Sequence, residues 1–425
     1  MKVVGIYSNS NIKVILILSF FSSIGGSIVW FTPTWLIYSL GGDNEDLGDI
    51  LGITTIITLF ASMIGSIIAD RFRRDIIIWI GNLLTLAGIY ILANSYQLSD
   101  IFNGLIITNL GFSLSWPAIS GLFANSIPSK NRNRVFGTNF LLSNLASAFG
   151  NIIGYYIFLD TGSNLESIDP SLLRYSLIIA FYFQIIAVII CFFAKDTKGI
   201  SVEEEGSAAS KHETMSINKN TGFVNDFTQN AILILSITLL SSIFIGFGAG
   251  ISIPYFPRFF FDIYHLDLSS LNLVFAALTI VTAVWGKFTA NIGDRFGRVQ
   301  VIVANQMVAV ILLYLLALYP PFILAIAALL VRNAVMNGTG PLINSIQMDY
   351  TPRKYRSQIN AINNLGWSLF FGLGQIFGGK IVERIGFWLA FVITATLYLI
   401  ASIIYLKIKK LDTTHISNLS DDLKN

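Results

Sequence analysis

The stretch LLVRNAVMNG, Leu329 to Gly338, sets an arginine among residues otherwise suited to hydrocarbon. Arg332 is followed by Asn333, and Asn337 stands one helical turn further on. A guanidinium brings five fixed donors and a permanent charge, so it binds carboxylates, phosphates or backbone carbonyls. Arg332 lies eleven residues beyond Pro321. At 1.5 Å per residue that is about 16 Å, near the middle of a hydrocarbon core about 30 Å thick. A charge at that depth costs about 2.5–3.5 kcal/mol on insertion scales, so the side chain is expected to face a helix-bundle interior. Two roles are open to it: holding an anionic or strongly polar solute, or bonding one helix to another. Other polar side chains sit in equally apolar surroundings: Asn109, Ser113 and Trp116; Asn139, Ser143 and Asn144; Asn360, Asn363, Asn364 and Trp367.

These residues need helices to carry them. The chain has 425 residues, 54% hydrophobic and 12% charged, against about 25% charged in a soluble domain. Twelve apolar stretches reach the ~20 residues a membrane span needs, starting near residues 14, 48, 76, 101, 135, 171, 231, 271, 299, 322, 359 and 386. The fold class expected is an all-α integral membrane protein. The first stretch runs from Val14 to Leu40, too long for a signal-peptide core and without a small-residue cleavage site. One cysteine, Cys191, and three scattered histidines, His212, His265 and His415, provide neither a disulfide framework nor a metal site. No glycine-rich run precedes a Gly-Lys-Ser/Thr, and no hydrolytic triad is visible. The net charge of +3 and the absence of a basic patch interleaved with aromatics give no sign of nucleic-acid binding. The expectation is a protein that is not an enzyme, with no metal and no cofactor, embedded in a lipid bilayer.

Most of the 27 Lys and Arg fall in alternate loops, beginning with the N-terminal segment. Cytoplasmic loops collect such residues, so both termini are expected in the cytoplasm and the protein in the plasma membrane. One loop is long and polar, from 195 to 229, and reads as a flexible cytoplasmic linker. It divides the chain into a first bundle at 1–194, a second at 230–410 and a cytoplasmic tail at 411–425.

Sliding the sequence against itself by 224 residues brings Gly26 onto Gly250, Pro33 onto Pro257, and Asp70, Arg71, Phe72 and Arg74 onto Asp294, Arg295, Phe296 and Arg298. The same offset pairs Asn109 with Asn333, Pro117 with Pro341, Asn139 with Asn363, Gly150 with Gly374 and Gly154 with Gly378. Chance likeness between apolar helices would match Leu with Ile, not Pro, Asp and Arg at one offset. The chain is therefore a duplication of two six-helix halves in the same orientation, and parallel repeats of that kind place a substrate site between the halves.

ADRFRRD (69–75) and GDRFGRV (293–299) resemble the loop signature Gly-x-x-x-Asp-Arg-x-Gly-Arg-Arg of the major facilitator superfamily. The resemblance covers nearly the whole chain. It implies two pseudo-symmetric six-helix bundles and transport by alternating access, with spans one, two, four, five, seven, eight, ten and eleven lining a central cavity. The polar residues fall on those spans, which makes Arg332, Asn333, Asn337, Asn109, Trp116, Asn139, Asn363, Trp367, Trp30 and Tyr255 the cavity candidates. It also implies that Asp70 and Asp294, with Arg71, Arg74, Arg295 and Arg298, latch the halves on the cytoplasmic side, Asp70 near Ser357 and Asp294 near Asn133. Asp349 is placed to pair with Arg298; its counterpart Asn125 is uncharged, and Arg73 stands where Gly297 keeps the signature's glycine. The charge cluster is accordingly expected whole in the second half and weakened in the first.

Gly150 and Gly154, and Gly374 and Gly378, are four apart, a spacing that lets helix backbones approach. Compared with the Gly-Pro-x-x-Gly-Gly signature of drug/proton antiporters, Asn151 and Gln375 replace the proline. No Asp or Glu falls in the interior of a span, whereas exchange of a proton for a cationic drug uses a buried carboxylate. The expectation is a monomeric secondary transporter of a small organic solute, with a coupling proton or ion, exporting amphipathic or anionic compounds. The alternatives are uptake of an organic acid or other metabolite, and a non-transporting receptor or scaffold on a transporter fold.

Overall fold

A computed structural model describes residues 9–127, 132–195, 229–352 and 355–422. The expected linker therefore lies, apart from its ends, outside the described residues. The first half consists of α1 (Ser10–Ser39), α2 (Asn44–Arg71), α3 (Arg74–Ala93), α4 (Leu98–Asn125), α5 (Arg132–Ile157) and α6 (Pro170–Cys191). The second consists of α7 (Gln229–Ser252), α8 (Phe256–Tyr264), α9 (Leu268–Phe296), α10 (Arg298–Ala317), α11 (Phe322–Gly338), α12 (Gly340–Asp349), α13 (Arg356–Arg384) and α14 (Phe387–Asp422). α7 with α8, and α11 with α12, each make one span, so twelve spans result. The protein is a multi-pass membrane protein of two six-helix halves. α14 runs on to Asp422, into the stretch expected as a tail.

Most helices start slightly earlier than hydropathy alone places them, because polar caps extend them. Asp43 accepts from the backbone N–H of Asp46 at the start of α2, and Asp267 accepts from that of Ser270 at the start of α9. These two aspartates occupy equivalent positions of the duplication, and each satisfies donors that a helix start leaves open.

The halves differ where their sequences do. Pro33 lies inside a continuous α1. Its counterpart Pro257 follows a second proline, Pro254, and there the span breaks through a short 3-10 turn, Ile253–Tyr255, before α8. Two missing N–H donors within four residues leave too few ladder bonds to hold one helix. Likewise α4 runs straight through Pro117, whereas Gly338-Thr-Gly-Pro341 splits the tenth span into α11 and α12.

The halves meet where α2 packs on α13 and α5 on α9. The end of the molecule away from the chain termini, called distal below, holds one apolar cluster shared by both halves: Phe31, Trp35 and Leu47 with Tyr255, Phe259 and Phe391. At the termini end the clusters are separate, with Ile12, Ile78 and Leu122 in one and Ile234, Ile302 and Tyr405 in the other.

Candidate functional site

The distal seam rests on small residues. A Cβ on Gly48 of α2 would lie 2.6 Å from both the Gln375 carbonyl oxygen and the Tyr255 hydroxyl. Gly52 meets Ile376 and Gly372 of α13 in the same way, and Gly154 of α5 meets Asn272 of α9. The other expected packing glycines act inside their halves: Gly150 fits against Ile24 and Ser27 of α1, Gly374 against Phe247 of α7, and Gly378 against Ile251. Lipid tails are as apolar as the helices, so close backbone approach and hydrogen bonds carry this association. Thr55 Oγ1 donates to Gln375 Oε1 at 2.8 Å across the halves. The side chain of Asn44 donates to Glu383 at 2.6 Å and accepts from the Tyr38 hydroxyl at 2.7 Å. Arg258 lies over the Tyr38 ring at 4.5 Å and pairs with Asp262 at 2.8 Å. Arg384 pairs with Glu45 at 2.7 Å, and Trp35 meets Phe261 at 4.9 Å. Sequence reasoning missed this polar seam, because its partners lie up to 339 residues apart.

Toward the termini large apolar side chains lie open on both halves. On α2, Phe60, Met63, Ile64 and Ile67 are all exposed, as are Val284 and Phe288 on α9. The ring of Phe140 on α5, near Gly286 of α9, is a contact between the halves closer to the termini than those of the distal seam.

Arg332 is 2% exposed. Its Nη2 donates to the Tyr398 hydroxyl on α14 at 2.6 Å, and its guanidinium carbon lies 5.5 Å from the ring centroids of both Tyr398 and Phe256. Its Nε is buried without a partner, and no carboxylate pairs with it among the described residues. It binds the second half together from inside and is turned away from the first. Tyr398, 66 residues along the chain, was not identified from sequence; a tyrosine in an apolar span is common, and only the fold brings it to the arginine. Asn333 donates to Thr282 of α9 at 2.8 Å, and Asn337 to the Asn333 carbonyl at 2.9 Å. Tyr255 is fully buried and donates to the Gln375 carbonyl at 2.7 Å, so it serves the seam and presents no open ring.

The other candidates are more open. Trp30 is 52% exposed and tilts against Phe275 of the opposite half at 5.3 Å. Trp116 stacks on Phe112 at 5.6 Å, and Trp367 stacks on Phe371 at 4.8 Å. Asn109 is half-buried on α4. Asn139 on α5 and Asn363 on α13 are equivalents in the duplication. In each, the amide oxygen is shut from solvent without a hydrogen-bond partner. Two related acceptors left unsatisfied are unusual, since buried polar atoms are nearly always bonded.

At the termini end Arg298 reaches both Ser345 and Asp349, closing the cluster of the second half. In the first half the space of Ser345 belongs to Gly121, which lies against the Arg74 guanidinium, while Arg73 pairs with Asp75 instead. Gly297 has φ +91°, which Arg73, at φ −65°, does not share; the backbone therefore turns differently at the two loops. Asp294 is exposed, and Arg295 lies 5.4 Å over the Phe296 ring. The side chains of Asp70, Arg71, Asn133 and Ser357 lie outside the described residues. Among the described residues no group of His, Cys, Asp and Glu is placed to hold a metal.

Twelve spans in two related halves, sharing one apolar cluster at the distal end and holding separate clusters at the termini end, have the architecture of a membrane transporter. The sequence matches the Major Facilitator Superfamily over residues 15–238 and again over 238–421, and the chain belongs to that family. Solved structures of similar fold include a D-xylose-proton symporter, TM-score 0.74 and 14% identical, covering 93% of this chain and 96% of that one. The nucleoside transporter NupG is similar with TM-score 0.68 and 15% identity, covering 94% and 99%. A bacterial homolog of the human lysosomal transporter Spinster, in an inward-facing and unoccupied conformation, has TM-score 0.71 and 13% identity, covering 94% and 96%. A curated relative, the Na(+), Li(+), K(+)/H(+) antiporter of Planococcus maritimus, is 29% identical over 162 residues, 35% of this chain and 36% of that protein. The match thus spans little more than a third of the relative's length. The protein is a membrane transporter and not an enzyme.

Proposed function

We propose that the chain exports a small amphipathic solute bearing hydrogen-bond donors, by alternating access, through a site between Asn139 and Asn363. The observation that carries this reading is the pair of equivalent amide oxygens on α5 and α13, each without a donor. Stacked aromatics on the same or adjoining spans, Trp116 with Phe112 and Trp367 with Phe371, supply flat apolar surface. Pockets of this composition, mostly apolar with a few placed polar groups, suit small organic ligands. Arg332 is committed to Tyr398, which removes the group that would favour an anion. A neutral or zwitterionic compound fits better.

The excess of Lys and Arg on the termini side supports a cytoplasmic location for that side, in the plasma membrane. With that orientation the distal seam is the closed outer gate, and the conformation faces inward. The exposed Asp294 accords with a cytoplasmic latch that engages only when the cavity faces out. Loading from inside fits export, and exchange against a proton or ion would drive it.

A second reading is favoured by the curated relative, named as an antiporter of Na+, Li+ and K+ against H+. Asp49, Asp262 and Asp349 at the span ends would then carry the exchange.

The test is a thermal-shift screen of the purified protein against a mixed solute library. Wild type, Asn139→Ala, Asn363→Ala and Arg332→Ala are run in parallel, since a ligand bound to the folded state raises its stability. Donor-bearing neutral hits lost in both asparagine variants support the site. Hits that survive both substitutions and vanish only in Arg332→Ala sink it. Proteoliposomes with an internal pH dye separate the second reading: proton movement on adding Na+ or K+ alone selects cation exchange.

A further inference from the structure

A cleft opens between α9 and α10 near the termini end, with a volume of about 370 Å³. Its walls are Trp285, Ile292, Phe296 and Ala304, with Thr289, Gln300 and Asn305 as polar members. Asn305 is 7% exposed and its Nδ2 is buried without a partner. A donor left open in so apolar a place calls for an acceptor that comes with apolar bulk. At the mouth, Phe296 carries the guanidinium of Arg295 at 5.4 Å. Arg298 is taken up by Ser345 and Asp349, and among the described residues Arg295 stands exposed at the mouth, with the exposed Asp294 beside it. Asn305 lies seven residues past Arg298 along α10, about 10 Å deeper in the membrane. A guanidinium at the mouth, a buried donor two turns below it and an apolar wall beyond match, in order, the headgroup phosphate, ester and acyl chain of a phospholipid.

The first half has no such arrangement. Gln300, Ala304 and Asn305 correspond to Ile76, Ile80 and Gly81. Gly81 is closed over by Gly111 and Ser115 of α4. The cleft is therefore a feature of one half, lined by residues of α9 and α10 alone.

We propose that this cleft is a binding site for an anionic phospholipid of the leaflet on the termini side. The Asn305 amide donates to an ester carbonyl, and Arg295 meets the phosphate headgroup. The test is native mass spectrometry of the full chain in detergent with phosphatidylglycerol or phosphatidylcholine of identical acyl chains. Wild type is expected to retain one phosphatidylglycerol under activation that strips phosphatidylcholine. Asn305→Leu and Ala304→Ile, the latter importing the residue of the first half, are each expected to lower that retention about tenfold. Arg295→Gln is expected to abolish the headgroup preference. Equal retention of the two lipids by wild type, or unchanged retention in both cleft variants, overturns the proposal. Asn305→Leu keeps the branched shape and heavy-atom count of the side chain and carries the test should Ala304→Ile fold poorly. Adduct mass is read without transport, so failure here leaves the exporter reading standing.

Discussion

Replacing Gly48 by alanine should open the distal end. The new Cβ would sit 2.6 Å from the Gln375 carbonyl oxygen and from the Tyr255 hydroxyl, with the Gly379 Cα at 3.2 Å. Two of these three are backbone atoms, and the tyrosine is fixed by its own bond to Gln375, so α2 and α13 must part. Overpacking of this kind costs about 1–3 kcal/mol. Alanine also favours helix over glycine by roughly 0.8–1 kcal/mol, but α2 is helical whichever side is open, so that gain cancels. A penalty confined to the distal-closed state shifts its ratio to the distal-open state by about 5–150-fold. Cys191 is buried, so cysteines placed at Tyr96 and Leu318, 68% and 78% exposed in distal loops of opposite halves, can take spin labels selectively. The distance distribution between them should gain a longer component in Gly48→Ala. Gly26→Ala is the control, because nothing lies within 4 Å of its Cβ position. If Gly48→Ala leaves the distances unchanged, or Gly26→Ala moves them equally, glycine packing does not hold the gate.

Glu45→Gln should change the same distances little, since an exposed ion pair such as Arg384 with Glu45 contributes about 0–1 kcal/mol; a large opening would give the polar seam the role assigned to the glycines. Tyr398→Phe should lower the melting temperature by leaving the Arg332 guanidinium without its bond, a loss of about 1–3 kcal/mol. The double variant Arg332→Met/Tyr398→Phe should recover part of that loss, as apolar replacement of a buried polar pair often does; strict additivity of the single effects would refute the coupling. Asp267→Ala should cost about 1 kcal/mol through loss of the α9 cap. Burial raises the Asp267 carboxyl, but bonds from Ser270 and Ser269 outweigh it and hold the group below its ordinary value. Its folded pKa is thus lower than its unfolded one, so its charged-state contribution is full above the unfolded value and fades as pH falls through the folded one. Melting curves between pH 7 and pH 3 should therefore converge for wild type and variant at the acid end.

The spans and the duplication were legible because each depends on residue type and a fixed offset, whereas Gly48 and Gly52 of the seam were not singled out, since their partners on α13 lie in the other half. Pro254 beside Pro257, and Gly338-Thr-Gly-Pro341, even mark the two breaks that the first half lacks. What pairs with what was not legible. Arg332 could be placed at mid-membrane from Pro321 alone, yet its partner was fixed only when α14 came to lie against α11. Tyr255 read as a stacking ring, but the break before α8 turns its hydroxyl onto the Gln375 carbonyl. A helical wheel gives a face, and three neighbours compete for each face in a twelve-helix bundle.

The asymmetries bear on how such a carrier can move. In the second half the guanidinium of Arg332 ties α11 to α14 and touches Phe256, the first residue of α8. Its position in the first half holds Thr108, whose hydroxyl donates within its own helix, to the Gly104 carbonyl. Arg298 likewise ties α10 to α12, where the first half has a glycine. Both devices stiffen the half whose spans are broken. A broken helix has lost ladder bonds that would keep its two parts collinear, and a buried side chain spanning neighbouring helices restores the constraint. On this argument Arg332 keeps the second half moving as a body, whereas the first, with unbroken α1 and α4, does without that tie.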